Sequence, residues 1–204
     1  MKGMLMKELY NLKQTARIYL ILTVLWMAMG MAQRDSTYLS GLIAMVMVLI
    51  PINAIAYDEA SKWERYALTM PVLRRDVVAA RYALMLLCGS AMTVLCCAAS
   101  VIAGEPVGNA ITISLGVLAV GIVLGSVLIP IMTRFGVQKG RLVLMVMALL
   151  PALLIMLFQS GDGMPEPTLA APSFVLTLAT LGIALMICLI SFAITKAIYE
   201  KKEF

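Results

Sequence analysis

The chain has 204 residues, of which 62% are hydrophobic and 13% are charged, and its formal net charge is +5. Soluble globular domains are roughly half apolar and a quarter charged, so this composition excludes a water-soluble fold. Because the chain has no histidine, Ser-His-Asp and Cys-His catalytic sites, HExxH zinc sites and imidazole ligation of haem are also excluded. The sequence therefore predicts no catalytic and no metal-ligating residues.

The first 17 residues have apolar side chains at helical spacing, namely Leu5, Leu9, Leu12 and Ala16. Cationic and amide side chains occupy the other faces of the same helix. This pattern predicts an amphipathic helix over residues 1–17 that lies in the headgroup layer, where anionic lipids hold its cations. The alternative is a simple charged anchor for the first membrane span.

Six apolar stretches without Asp, Glu, Lys or Arg follow: Ile18–Gln33, Thr37–Tyr57, Tyr82–Gly104, Pro106–Thr133, Leu142–Gly161 and Phe174–Thr195. Each is near the roughly 20 residues that a helix needs to cross about 30 Å of hydrocarbon. The sequence thus predicts an all-α polytopic membrane protein, a single domain over residues 1–204 with six transmembrane helices.

Cations indicate the orientation of these spans. Fifteen of the 16 Lys and Arg residues lie before the first span, between the second and third, between the fourth and fifth, or after the sixth. Loops rich in Lys and Arg stay in the cytoplasm, which predicts cytoplasmic amino and carboxyl termini. The cations are spread over four short segments, so a nucleic-acid-binding face is not expected.

The connection between the second and third spans, residues 57–81, is the longest polar segment of the chain. One side of a predicted helix there carries Trp63, Tyr66, Ala67 and Met70. Its other sides carry Asp58, Glu59, Lys62 and Arg65. Pro71 interrupts this helix, and Thr69 can cap a second helix that continues into the third span. A projecting helix with two aromatic side chains suits a groove on a cytoplasmic partner, and the alternative is a helix that lies on lipid.

The residues inside the predicted spans limit the classes of transporter to which the chain can belong. Predicted spans without charged residues argue against an ion-coupled secondary transporter, although helices broken at Pro51, Pro130 or Pro151 could bind sodium through backbone carbonyls.

The four cysteines lie inside predicted spans without CxxC spacing, which indicates apolar packing. No GxxxxGK[ST] phosphate loop is present. Gly121 and Gly125 form a small-xxx-small pair, which predicts close helix packing within the chain or at a dimer seam.

Two segments carry a family resemblance: the opening MKGMLMKELYNLKQ and the run NAIAYDEASKWERYALTMPVLRRDVVAARY. With its six-span pattern, the chain resembles the permease subunits of ABC-2 type exporters, in particular a compact bacterial branch of about 200 residues. Residues 1–17 would then be the elbow helix. The helix from Asp58 to Met70 would be the coupling helix, whose expected contacts with the ATPase are Asp58, Glu59, Trp63, Arg65, Tyr66 and Met70.

The resemblance also implies partners. It implies a non-catalytic chain in the bacterial plasma membrane that pairs with a second permease, identical or related, and with two ATP-binding subunits that hold ATP and magnesium. Some relatives in the small branch export amphipathic peptides or bacteriocins, so an amphipathic peptide or other hydrophobic cargo is expected. The competing hypotheses are a stand-alone secondary transporter, an intramembrane enzyme and a non-transporting membrane scaffold.

Overall fold

A computed structural model describes residues 2–33, 36–63, 74–159 and 173–201. Within those residues the chain forms six α-helices and no strand. They are α1 (Lys2–Gln33), α2 (Ser36–Ala60), α3 (Arg74–Ile102), α4 (Val107–Phe135), α5 (Val137–Gln159) and α6 (Phe174–Lys201). The all-α prediction is therefore confirmed.

Among the described residues, four helical segments are long and apolar enough to cross a membrane: Thr37–Ala60, Arg75–Ile102, Val107–Phe135 and Phe174–Glu200. Within α1, the segment Arg17–Ala32 is apolar but shorter. The chain is thus a multi-pass membrane protein by the length and composition of its helices, whereas the count of six spans stays a prediction.

In the structure, the predicted interfacial helix and the first predicted span belong to one continuous helix, α1, of 32 residues. The position of residues 1–17 in the headgroup layer stays a prediction. At about 1.5 Å per residue α1 is far longer than the roughly 30 Å of hydrocarbon. The physical reason is that no Pro or Gly interrupts the chain near Arg17, so the helical hydrogen bonds run through the predicted junction.

The centre of the bundle is formed by α2 and α4, which pack against each other and are the two most buried of the long apolar helices. Helix α3 packs on both, α1 lies against α2 and α3, and α5 and α6 lie against α4. Pro51 and Pro130 lie inside α2 and α4 without ending them. Prolines of this kind are tolerated in membrane helices because neighbouring groups satisfy the freed backbone.

Methionine side chains of one helix fill the notches that glycines leave on another. A Cβ atom added at Gly121 of α4 would lie 2.7 Å from Sδ of Met47 of α2, and one added at Gly89 of α3 would lie equally close to that sulfur. A Cβ atom at Gly125 would collide with Sδ of Met85 of α3. The small-xxx-small pair is thus packed against side chains of the same chain.

Hydroxyl groups join three helices inside the apolar bundle. The hydroxyl of Tyr82 of α3 lies 2.7 Å from Oγ of Ser191 and 2.9 Å from Oγ1 of Thr195, both in α6. Ser191 in turn donates to the backbone carbonyl of Ser126 of α4. Interhelical hydrogen bonds in membranes contribute about 0.6 kcal/mol on average and rarely more than about 1.7.

Candidate functional site

Several helices begin or end at the same end of the bundle. The start of α1, the end of α2 and the start of α3 are joined there by ion pairs of Lys7, Asp58 and Arg81. The end of α6 joins them through Tyr199, and the α4–α5 turn joins them through Val137. These are the segments in which the sequence concentrates its cations, so the structure gathers the cation-rich segments on one side of the bundle.

Four charged side chains form a cluster at this end, consisting of Lys7, Glu8, Asp58 and Arg81. The side chains of Asp58 and Arg81 are 1% and 0% exposed. Nη2 of Arg81 donates to Oδ2 of Asp58 at 3.0 Å, and Nζ of Lys7 pairs with Oδ1 of the same carboxylate. Each oxygen of Asp58 therefore has a cationic partner, and the formal charge of the cluster sums to zero.

Glu8 is the second buried carboxylate of the cluster. Its side chain is 2% exposed, and Oε1 lies 3.4 Å from Nζ of Lys7. Within the described residues, Oε2 is buried without a hydrogen-bond partner. Burial raises the pKa of Glu8, the nearby Asp58 carboxylate raises it further, and the positive charges of Lys7 and Arg81 oppose the shift.

Aromatic rings cover both cations of the cluster. Nζ of Lys7 lies 4.8 Å from the centre of the Trp63 ring, and the guanidinium carbon of Arg81 lies 5.8 Å from the centre of the Tyr199 ring. Such distances are within the range of about 6 Å at which a cation is attracted to a ring face. Trp63 is half-buried and packs against the helix core, so its ring contacts both the core and Lys7.

The predicted partner contacts fall into different environments. Asp58 and Glu59 belong to the last turns of α2, not to a separate helix. Asp58 is directed into the bundle, whereas Glu59 is exposed and accepts a hydrogen bond from the backbone N–H of Val137 at 2.9 Å. Trp63 is the last described residue of the segment. The other predicted contacts and helix-capping residues lie outside the described residues: Arg65, Tyr66, Thr69, Met70 and Pro71.

Sequence reasoning did not find the charge cluster. It assigned Lys7 and Arg81 to the orienting cations and placed Asp58 on the outer side of a cytoplasmic helix. One signal was available: Asp58 and Arg81 each lie next to an apolar stretch, where an ionisable residue usually faces the bundle interior and has a named partner. The pairing itself is not encoded in any local spacing.

The cluster has no arrangement that suits covalent chemistry or metal binding. Within the described part of the chain, no three His, Cys, Asp or Glu residues lie close enough together to hold a metal ion. All four cysteines are described as free thiols in the helices. What the site can do is hold the ends of several helices in register beside Trp63.

Comparison with known proteins identifies the family. The sequence model described as ABC-2 family transporter protein matches residues 3–200. No curated protein and no solved structure matches the chain. Because the family match covers nearly the whole chain, from the start of α1 to the end of α6, the chain belongs to the ABC-2 family of transporter proteins and is an ABC-2 type permease.

Proposed function

We propose that this chain is the membrane-spanning subunit of an ATP-driven exporter that moves an amphipathic peptide or another hydrophobic cargo out of a bacterial cell. The observation that carries the proposal is the family match over residues 3–200. Membership of the family makes the chain the permease of an ABC transporter, which works with an ATP-binding partner. Export and the class of cargo go beyond the family match and rest on the resemblance to the small bacterial branch.

In the proposed arrangement the chain crosses the plasma membrane six times, with both termini in the cytoplasm and lipid around its outer helices. The distribution of cations in the sequence supports this orientation. The structure adds support, since the cation-rich segments meet at one end of the bundle. Two permease chains, identical or related, would stand above two ATP-binding subunits, which supply the ATP and magnesium that this chain has no phosphate loop to bind.

The segment that begins at the end of α2 is the proposed contact with the ATPase. Trp63 lies there with a half-buried ring, and large amphipathic aromatics dominate the energetics of protein interfaces. Arg65, Tyr66 and Met70 are retained as proposed contacts, whereas Glu59, whose carboxylate accepts the backbone N–H of Val137, is proposed to act inside the permease. Asp58 is proposed to support the contact from inside, because both of its carboxylate oxygens already bind cations of the same chain.

Replacement of Trp63 by alanine tests the contact. Truncation of an aromatic anchor in a desolvated pocket costs about 2 kcal/mol or more, which weakens docking roughly thirtyfold. We therefore expect Trp63→Ala to reduce co-purification of the ATPase and transport-coupled ATP hydrolysis together, while insertion of the helices is retained. The measurement is the amount of ATPase recovered with a tagged permease from membranes, and the hydrolysis rate of the recovered complex.

Lys62→Ala is the matched control, because Lys62 is the exposed neighbour of Trp63 and its truncation should change neither quantity. Wild-type ATPase recovery and hydrolysis in Trp63→Ala would mean that the segment lies on lipid, and the contact would have to be withdrawn. The chain purified alone should not hydrolyse ATP. Hydrolysis by the isolated chain, free of contaminating ATPase, would contradict the proposed division of labour.

A further inference from the structure

Two consecutive carboxylates in the last turns of α2 bind different helices. Asp58 pairs with Lys7 of α1 and Arg81 of α3. Glu59 accepts the backbone N–H of Val137, the first residue of α5. Side chains that follow each other in an α-helix point about 100° apart, so adjacent acids can reach neighbours on separate sides. The end of α2 is thereby bonded to α1, α3 and α5.

The Glu59 contact is built into the turn between α4 and α5. Gly136 ends α4 with φ of 84°, a conformation that favours glycine. A Cβ atom added at Gly136 would lie 3.3 Å from Oε1 of Glu59, so the carboxylate lies directly against this turn. An acceptor at the first N–H groups of a helix satisfies donors that the helix itself leaves unbonded. Glu59 therefore acts as a cap for α5 that is supplied by α2.

The last turns of α2 are also connected to α6 and Trp63, through the two cations that Asp58 binds, Lys7 and Arg81. Arg81 faces the ring of Tyr199 of α6, and Lys7 faces the ring of Trp63. Trp63 lies only five positions after Asp58 in the sequence. A displacement of the segment at Trp63 would therefore act on the last turn of α2 and, through its two carboxylates, on the ends of the neighbouring helices.

Stability alone is a weak reason for this arrangement. Replacing a buried ion pair by apolar residues of similar volume is often neutral or stabilising, and this bundle closes most of its interior with apolar side chains. Ion pairs and capping hydrogen bonds differ from apolar packing in that they fix which atoms meet. Ion pairs and capping hydrogen bonds are therefore suited to transmitting a displacement of one helix to the helix bonded to it.

We propose that Asp58 and Glu59 are positioning residues that transmit movement of the ATPase-contacting segment to α1, α3 and α5. The proposal rests on the proposed function, because it requires an ATPase that docks at this end of the bundle. It assigns Asp58 and Glu59 a role inside the permease, distinct from the contact surface at Trp63.

The test uses the complete permease–ATPase complex in lipid nanodiscs. A reporter cysteine at Gly108, in a chain whose native cysteines are replaced by alanine, lies near the start of α4, at the end of that helix opposite to the Glu59 contact. A Cβ atom at Gly108 meets nothing within 4 Å, so the reporter fits. The quantity measured is the ratio of thiol-labelling rates with and without ATP and vanadate, next to complex recovery and ATP hydrolysis.

Two variants remove the contacts made by the two carboxylates of α2, one for Glu59 and one for Asp58. Glu59→Ala removes the cap on α5 and, because Glu59 is exposed, leaves no buried charge. The double variant Asp58→Ala/Arg81→Met removes both members of the buried pair, so that neither is left alone in the bundle. Gln138→Ala is the matched control, because Gln138 is an exposed polar residue of α5 next to Val137.

We expect both test variants to assemble and hydrolyse ATP while the ATP-dependent change in labelling falls about fivefold, the factor that corresponds to about 1 kcal/mol of coupling free energy. Gln138→Ala should keep the wild-type change. A wild-type change in both test variants, or reduced recovery with a wild-type change in the complexes recovered, would overturn the positioning role alone. Failure of the unaltered chain to bind an ATPase would overturn the proposed function, and this inference with it.

Discussion

The glycines of α4 allow a stability prediction with an internal control. Gly121 faces Met47, a fully buried side chain that also lies against Gly89. A Cβ atom at Gly121 would lie 2.7 Å from Sδ of Met47 and 3.3 Å from its Cβ atom. Gly116 lies in the same helix, but a Cβ atom there meets nothing within 4 Å.

Gly121→Ala and Gly116→Ala should therefore differ, although both remove a helix-interior glycine. Each gains about 1 kcal/mol of helix propensity, and this gain cancels in the comparison. Only Gly121→Ala also overpacks the interior, which typically costs about 1 to 3 kcal/mol. We expect Gly121→Ala to be less stable than Gly116→Ala by about 1 to 3 kcal/mol.

The assay is the free energy of unfolding of the purified chain in mixed detergent micelles, followed by circular dichroism as the fraction of denaturing detergent rises. A double-mutant cycle with Met47→Ala isolates the contact, because truncation of Met47 should remove most of the penalty at Gly121. Equal stabilities of the two alanine variants, or a penalty at Gly121 that persists in the Met47→Ala background, would refute the packing argument.

Two further predictions concern topology and pH. In a cysteine-free chain, a cysteine at Gly163, outside the described residues, should react with an impermeant thiol reagent in intact cells, and one at Ser61 only after the cells are opened; labelling of the Ser61 position in intact cells would reverse the orientation. Burial raises the pKa of Glu8, so its contribution to stability is largest below the unfolded-state pKa of about 4.3 and is lost as pH rises through the higher folded-state value. Glu8→Gln should therefore match the wild type in stability below the unfolded-state pKa of Glu8 and exceed it as pH rises through the folded-state pKa. Unfolding curves of the two proteins that keep a constant separation between these pH values would contradict the raised pKa of Glu8.

The sequence predicted the elements whose limits depend on local chemistry. The fourth predicted span, Pro106–Thr133, corresponds to α4, Val107–Phe135, because Pro106 cannot continue a preceding helix and Gly136 adopts a positive φ that ends this one. Arg74, Arg75 and Asp76 of the predicted second helix of the connection are helical and continue into the third span as part of α3. Family membership followed from two local motifs and agrees with the match over residues 3–200.

The sequence could not predict contacts between distant residues. Lys7 and Asp58 are 51 positions apart, and Asp58 and Arg81 are 23 apart. Hydropathy and charge patterns describe the average preference of each residue for water, so they treated these ions as solvated. Their burial follows only from mutual neutralisation once the helix ends meet, which is a property of the tertiary structure.

The hydroxyl contacts around Ser191 have a mechanical consequence. Ser191 donates to a carbonyl of α4, and Thr195 donates to the carbonyl of Ser191 in its own helix at 2.8 Å. If α3 moved away, both hydroxyls of α6 would keep these acceptors, and only the hydroxyl of Tyr82 would need a new one. Leaving a polar group unsatisfied in hydrocarbon costs several kcal/mol. Separation of α3 from α6 would therefore place this cost on Tyr82 alone, whereas the hydrogen bond of Ser191 between α6 and α4 would remain.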